Sequence, residues 1–551
     1  MRNYIILFLL LFSANISSAQ LLHNDNNFSR ADTLRGMLTP LRTCYDVNYY
    51  HLDIRVNIAK RTISGSNLFS VTAIQDFENL QIDLFENLKI TAITYQGLNL
   101  LFAREFNAVF ITFPELVRKG SKAEFKVYYE GSPQIAENAP WDGGFVFSKD
   151  AQGKPWVAVA CQGLGASSWW PNKDHQSDEP DSMLISVAVP PGLMNVSNGR
   201  LRSTRKLEDG YTAYNWFVSY PINNYGVTLN IADYAHITDY FDGQQGKLSL
   251  DYFVLKENEQ KARTYFSTEV KPMLKSFEHW FGAFPVYNDG YKLVETPYLG
   301  LENQTAIAYG NKYKRGYKGS DWSGTALGLT WDYLIVHESG HEWFGNNITA
   351  KDIADMWIQE SFTTYSEGLY VESKLGKDAG SRYIKGLRKN IRNDSPMIGT
   401  YDVNKEGSGD MYFKGANMLH TIRSVIDDDK RWLNILRGLN ETFGLKTTTT
   451  GEVLQYIDQT SGKNLTKIFD QYLRYTNIPV LEIKRAANNR SIQYRWKTDV
   501  KDFKMPLKIK TSSASSKWIT INPTSRWQSI EATTLQPDTD NFYIKVNYLN
   551  Q

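Results

Sequence analysis

The chain runs to 551 residues, 42% hydrophobic, 13% aromatic and 22% charged; that composition excludes wholesale disorder, and the length calls for two to four domains rather than one core. Lys and Arg number 61 against 59 Asp and Glu, a formal charge of +2, which leaves no long-range field for gathering phosphates and excludes nucleic acid as an expected partner. Two cysteines, Cys44 and Cys161, allow one disulfide or two free thiols and cannot by themselves make a four-ligand zinc site.

Residues 1–19 read as a signal peptide. Arg2 supplies a positive start, Tyr4 to Phe12 is an unbroken apolar run, and Ser17-Ser18-Ala19 offers the small residues a signal peptidase reads, with Gln20 as the new N-terminus. The run is too short to span a bilayer comfortably, no cysteine follows it, and no other stretch approaches spanning length. The expectation is an exported protein, periplasmic or secreted, with no stable membrane anchor.

Residues 20–38 read as a linker and 39–235 as an antiparallel β domain. His51 to Ile58 alternates with period two, as do Phe125, Val127 and Tyr129. Residues 236–476 change to a helical rhythm: Leu327, Trp331 and Leu334 fall on one stripe, and Met411, Leu419, Ile422 and Ile426 belong to a later helix. The tract Lys312 to Lys318 reads as a solvated loop. Thr447 to Thr450 reads as a loop before another helix that ends near Tyr475. Asn477-Ile478-Pro479 marks a boundary, because proline resists continuing a helix. From 477 to 551 the alternation of Ile492, Tyr494 and Trp496, and of Phe542, Ile544, Val546 and Tyr548, suits a small β-sandwich. The fold class expected is multidomain α+β, and no internal repeat is evident.

The chemistry concentrates in His337-Glu338-Ser339-Gly340-His341. On a helix, residues four apart share a face, so both imidazoles can meet one ion, while Glu338 lies beside the metal where a general base for its water belongs. Catalytic zinc takes three protein ligands. Glu360, nineteen residues after His341 on a second helix, is the candidate for the third. Glu367, on the same face one further seven-residue step along, can hold a ligand histidine by its free ring N–H. Only eight histidines occur in the chain, which makes two at this spacing, followed by a delayed Glu, hard to ascribe to chance.

The stretch from His337 to Asn346, continued by Trp357 to Glu360, Tyr365 and Glu367, resembles the signature of the M1 family of zinc aminopeptidases, which includes aminopeptidase N and leukotriene A4 hydrolase. Gly300-Leu301-Glu302-Asn303 is similar to the family's G-x-M-E-N segment, with Leu299 and Leu301 departing from it. The resemblance implies that Glu302 binds the substrate's free α-amino group, with Gly300 and Asn303 as further substrate-binding residues of that strand. Tyr412-Phe413-Lys414-Gly415-Ala416 is similar to the family's Y-x-K-G-A segment, which implies that Tyr412 stabilises the oxyanion. Cys161-Gln162-Gly163 ahead of Trp169-Trp170-Pro171 and Asp178-Glu179-Pro180 resembles the family's N-terminal substrate region. It implies that Gln162 shares the amine, while Ala160 stands where a Gln is usual.

Taken together, the resemblance implies a β-rich N-terminal domain, a thermolysin-like, mainly helical catalytic domain holding one Zn2+, and a C-terminal sandwich. Family members usually carry a helical domain over the active site, and no residues remain here for one, which implies a more open cleft. The activity implied is hydrolysis of the first peptide bond of peptides with a free N-terminus. Two alternatives stay open: a zinc endopeptidase with an open cleft, and a non-catalytic peptide-binding protein on the same scaffold. Oligomeric state and side-chain preference are not legible.

Overall fold

The computed structural model describes residues 27–486, 490–511 and 517–549; the segment 1–19 expected to be a signal peptide, and Gln20, lie outside the described residues. The longest N-terminal strand, Tyr45–Asn57, buries Leu52, Ile54 and Val56 on one face. It pairs antiparallel with Thr62–Ala73, which pairs in turn with Lys122–Gly131, inside an eight-stranded sheet. One pair departs from the antiparallel expectation: Tyr45–Asn57 runs parallel to Ser182–Val189. The chain returns to its first strand only after building other sheets, and a crossover of that length permits a parallel partner. Among those sheets is a four-stranded one containing Pro155–Ala160, which delivers the turn that carries Gln162.

The boundary expected at 235/236 falls inside a strand. Tyr234–Gly243 and Gly246–Leu255 form a hairpin that opens a five-stranded sheet with Tyr291–Glu295, Ile307–Tyr309 and the short edge Gly300–Leu301. The catalytic segment therefore begins as sheet, not helix. Leu248, Leu250, Tyr252 and Val254 alternate inward against Phe266, Val270, Met273 and Phe277 of the helix Glu259–Phe281, the ordinary packing of one sheet face on one helix stripe.

The expected stripe of Leu327, Trp331 and Leu334 is also broken. Leu327–Thr330 is a short 3-10 turn, Trp331 is extended, and the α-helix is Tyr333–Gly340. Asp332 starts it, accepting from the N–H groups of Leu334 and Ile335 at 2.9 and 3.3 Å, which are two of the orphan donors of a helix start. The same buried carboxylate accepts from Tyr309, Tyr265 and Asn311. Nor is the Lys312–Lys318 tract simply solvated: Tyr313 is buried, and Arg315 reaches the buried Glu269.

Helices Trp357–Leu375, Lys377–Leu387, Asp410–Ile426 and Asp429–Phe443 complete the catalytic core. Past them, Lys446–Thr448 is a strand paired with Ile348–Ala350, not a loop, and two helices follow, Thr450–Ser461 and Thr466–Leu473, rather than one. The C-terminal segment forms a four-stranded and a three-stranded sheet, with Ile492, Tyr494 and Trp496 facing inward. It docks on the helix Asp410–Ile426 through Tyr543 N donating to the Thr421 hydroxyl and through His420 against Asn541. No helix among the described residues is long and apolar enough to cross a membrane.

Replacing Asp332 by Ala removes a helix cap and leaves two phenols and an amide without their buried acceptor. The expected cost is at least about 2 kcal/mol, read as a lower midpoint in thermal or urea unfolding. An unchanged midpoint would show that this cap does not hold the helix.

Candidate metal centre and active site

His337 and His341 stand one turn apart at the end of the helix Tyr333–Gly340, with His341 still in helical conformation as its C-cap. The antiparallel helix Trp357–Leu375 brings Glu360 opposite them. Glu360 Oε2 lies 3.7 Å from His337 Nε2 and 3.4 Å from His341 Nε2, too far and too poorly aimed to be a good hydrogen bond to either. That oxygen is buried without a hydrogen-bond partner. Three donor atoms within 4.8 Å of one another, one of them an orphaned carboxylate oxygen, fit a tetrahedral zinc with one position left open.

Each ligand histidine is held from behind. His337 Nδ1 meets Glu367 Oε1 at 2.8 Å, and Tyr383 donates to the other Glu367 oxygen at 2.7 Å. The Tyr333 ring stacks on His337 at 5.1 Å. His341 Nδ1 is 3.0 Å from the Phe344 carbonyl oxygen and 3.3 Å from the Thr363 hydroxyl. These partners leave both Nε2 atoms facing the Glu360 oxygen, as ligands must.

Glu338, Glu302, Gln162, Gly300 and Tyr412 converge on the same cavity of about 500 Å³. Glu338 is 9% exposed. Burial pushes its carboxyl up to about 7, with His337 pulling down and Glu302 adding to the rise. Glu302 is buried, and burial raises its pKa as well. The Gln162 amide donates to Glu302 Oε1. Burial opposes charging His341, yet Glu302 and Glu360 push it up to about 9. Burial likewise opposes ionising Glu360, and the two imidazoles outweigh it to hold the carboxyl at about 2. This crowd of buried carboxylates calls for a cation.

Gly300 is required by space: a Cβ there would lie 2.3 Å from Leu334 and 3.0 Å from Glu338 Oε1. Leu299 lines the cavity, and Leu301 packs in a small cluster with Ala158, Ala160 and Tyr298. Asn303 is buried beside Glu302 with its Nδ2 unpartnered. Tyr412, from the helix Asp410–Ile426, lies with its ring 6.0 Å from that of His337; burial and Glu360 keep the phenol protonated.

Some expected residues lie elsewhere. Asp178 pairs with Lys173 inside the N-terminal core. Cys44 and Cys161 are both free and buried. Sequence reasoning gave no role to Asn346, whose amide holds the Glu302 backbone carbonyl at 3.0 Å, so the zinc motif itself fixes the segment that carries Glu302. It also missed Tyr383, Thr363 and the cavity carboxylate Glu406. Asn346 lay within the quoted signature; the other three carry no local signal.

A two-His, one-Glu zinc site on paired helices, with a second Glu beside it, defines the class of gluzincin metallopeptidases. The Peptidase family M1 domain matches residues 298–472 and the Peptidase M1 N-terminal domain matches residues 46–225. The chain belongs to peptidase family M1. It is 20% identical over 356 residues to "Probable aminopeptidase 1" of Saccharolobus solfataricus, a match covering 61% of this chain and 43% of that protein. Against aminopeptidase N of Escherichia coli the identity is 22% over 322 residues, covering 54% of this chain and 35% of that one. The chain thus spans less than half the length of these curated relatives. An M1 zinc metallopeptidase from Deinococcus radiodurans, crystallised with a Tyr-Ser-Ala substrate, shares the fold at 20% identity and a TM-score of 0.65, over 79% of this chain and 96% of that one. The His337–His341–Glu360 group is the site for one zinc ion.

Glu367→Gln keeps the size of the His337 partner but removes its charge. Zinc affinity measured by competition with a chromogenic chelator is expected to fall about 10- to 100-fold, and parental affinity would refute the supporting role.

Proposed function

We propose that the chain is a zinc-dependent aminopeptidase that hydrolyses the N-terminal bond of peptides. One observation carries the reading: carboxylate oxygens of Glu302 and Glu338 and a nitrogen of His341 all lie within 4.8 Å of one another. An α-amino nitrogen and the carbonyl carbon of its own residue are about 2.5 Å apart. An ammonium held by Glu302 therefore places its own carbonyl, and no later one, between Glu338 and the zinc ligands. Counting from the amine in this way makes an exopeptidase by positioning.

His337, His341 and Glu360 would hold the zinc, which supplies Lewis acidity toward water and the scissile carbonyl. Glu338 takes the proton of the attacking water and passes it to the leaving amine, a role suited to a carboxyl near 7. Tyr412 donates a hydrogen bond to the oxygen that becomes negative. Glu302 and Gln162 bind the ammonium, which needs a carboxylate partner once desolvated. Peptides with a free N-terminus are the substrate class. The blocks of residues 1–19 support an exported protein; a mature N-terminus at Gln20 on sequencing is the expected result.

Glu338→Gln is expected to retain zinc while turnover falls about 100- to 10,000-fold; wild-type turnover would end the mechanism. An aminoacyl anilide is expected to be cleaved much faster than its N-acetylated form, and the reverse order would replace the aminopeptidase by an endopeptidase.

A further inference from the structure

The first described helix, Arg30–Gly36, precedes both family matches, the first of which begins at residue 46, yet it touches both rims of the catalytic cavity. On one rim, Arg35 Nη2 donates to the Gly163 carbonyl at 3.0 Å and to the Leu164 carbonyl. Those two residues directly follow Gln162, and their turn is closed by Leu164 N donating to Gln162 O at 2.8 Å. On the other rim, Gly36 lies so close to Val403 and Asn404 that a Cβ would fall within 2.5 Å of their backbone. Lys405 reaches over the Phe28 ring at 5.4 Å, and Glu406, next in sequence, lines the cavity.

The helix is fixed rather than resting in place. Its last three carbonyls, which a helix end leaves without internal partners, are each taken by a different N-terminal-domain side chain. Gln81 donates to Leu34 O at 2.9 Å, Arg42 to Arg35 O at 2.6 Å, and His175 Nε2 lies 3.1 Å from Gly36 O. Arg42 is fully buried and paired with Asp83, so this anchorage reaches the domain core. One guanidinium nitrogen, Nη2, reaches both carbonyls of the turn, and its two N–H groups have directions fixed by the guanidinium plane, which a freely rotating ammonium lacks.

We propose that Arg30–Gly36 is a clasp joining the two rims, and that Arg35 is a positioning residue: its Nη2 bonds to Gly163 and Leu164 aim the Gln162 amide at Glu302 and the substrate amine. The inference rests on the aminopeptidase reading. Without Arg35 the turn loses the bonds that set its orientation, and the amine site loosens while the zinc, Glu338 and Tyr412 stay as they were. The loss falls on binding of a free amine, not on the chemical step.

The test uses the zinc-loaded protein with an aminoacyl anilide and its N-acetyl counterpart. For Arg35→Ala, KM for the free-amine substrate is expected to rise about tenfold with kcat within about threefold, while the slow cleavage of the acetylated substrate is unchanged. Adding Arg35→Ala to Gln162→Ala is expected to cost less than about twofold more, because the two act as one unit. Arg35→Lys, which keeps N–H donors but loses the fixed planar geometry, is expected to fall between parent and Arg35→Ala, and decides the matter alone if the alanine variant does not fold. An unchanged KM in the variants, an equal loss on both substrates, or additive losses in the double variant would overturn the proposal. A parent enzyme that does not prefer the free amine would instead overturn the aminopeptidase reading, a separate result.

Discussion

Burying Glu360 between two imidazoles is a costly arrangement unless a cation completes it, since an uncompensated charge in a low-dielectric interior is strongly disfavoured. Much of the catalytic half serves to make that arrangement rigid. Asp332 starts the helix that presents His337 and His341, the antiparallel helix Trp357–Leu375 supplies both Glu360 and the Glu367 that orients His337, and Tyr383 holds Glu367 from a third helix. The five-stranded sheet brings Gly300 and Glu302 to the same point. Asn346 ties Glu302 to the segment after His341, so the metal group and Glu302 are held together.

The N-terminal domain completes the cavity rather than flanking it. Gln162 comes from a turn after Pro155–Ala160, and its contact with Glu302 joins the two domains at the reacting centre. The C-terminal sheets reach the site indirectly, by docking on the helix that carries Tyr412.

The metal group was legible in sequence because its spacing is local: four residues on one helix and a short return on the next. The period-two runs around Leu52 and Val127 also marked true strands. Where the reading failed, a longer-range effect decided. Leu248, Leu250, Tyr252 and Val254 alternate as a strand should, but the helical texture around them masked four residues that settle only by packing on Glu259–Phe281. Trp331 falls on a helical stripe by spacing, yet Asp332 caps the helix after it. The short strand at Lys446 pairs with Ile348, about a hundred residues away, and the parallel partner of Tyr45–Asn57 is more distant still. Tyr383, Glu406 and Arg35 stand in unremarkable surroundings; only the tertiary fold gives them neighbours with chemistry.

The contact of Gly36 with Val403 and Asn404 also bears on the order of events during synthesis. These residues stand more than 360 positions apart, and joining such distant segments is slow compared with closing a hairpin or a helix pair. A ribosome that has released the β domain but not yet the 403–406 loop, nor Tyr412 beyond it, exposes a chain with one rim of the cleft missing. The cleft is thus completed only after residues 403–412 have been made and have closed back on the first helix.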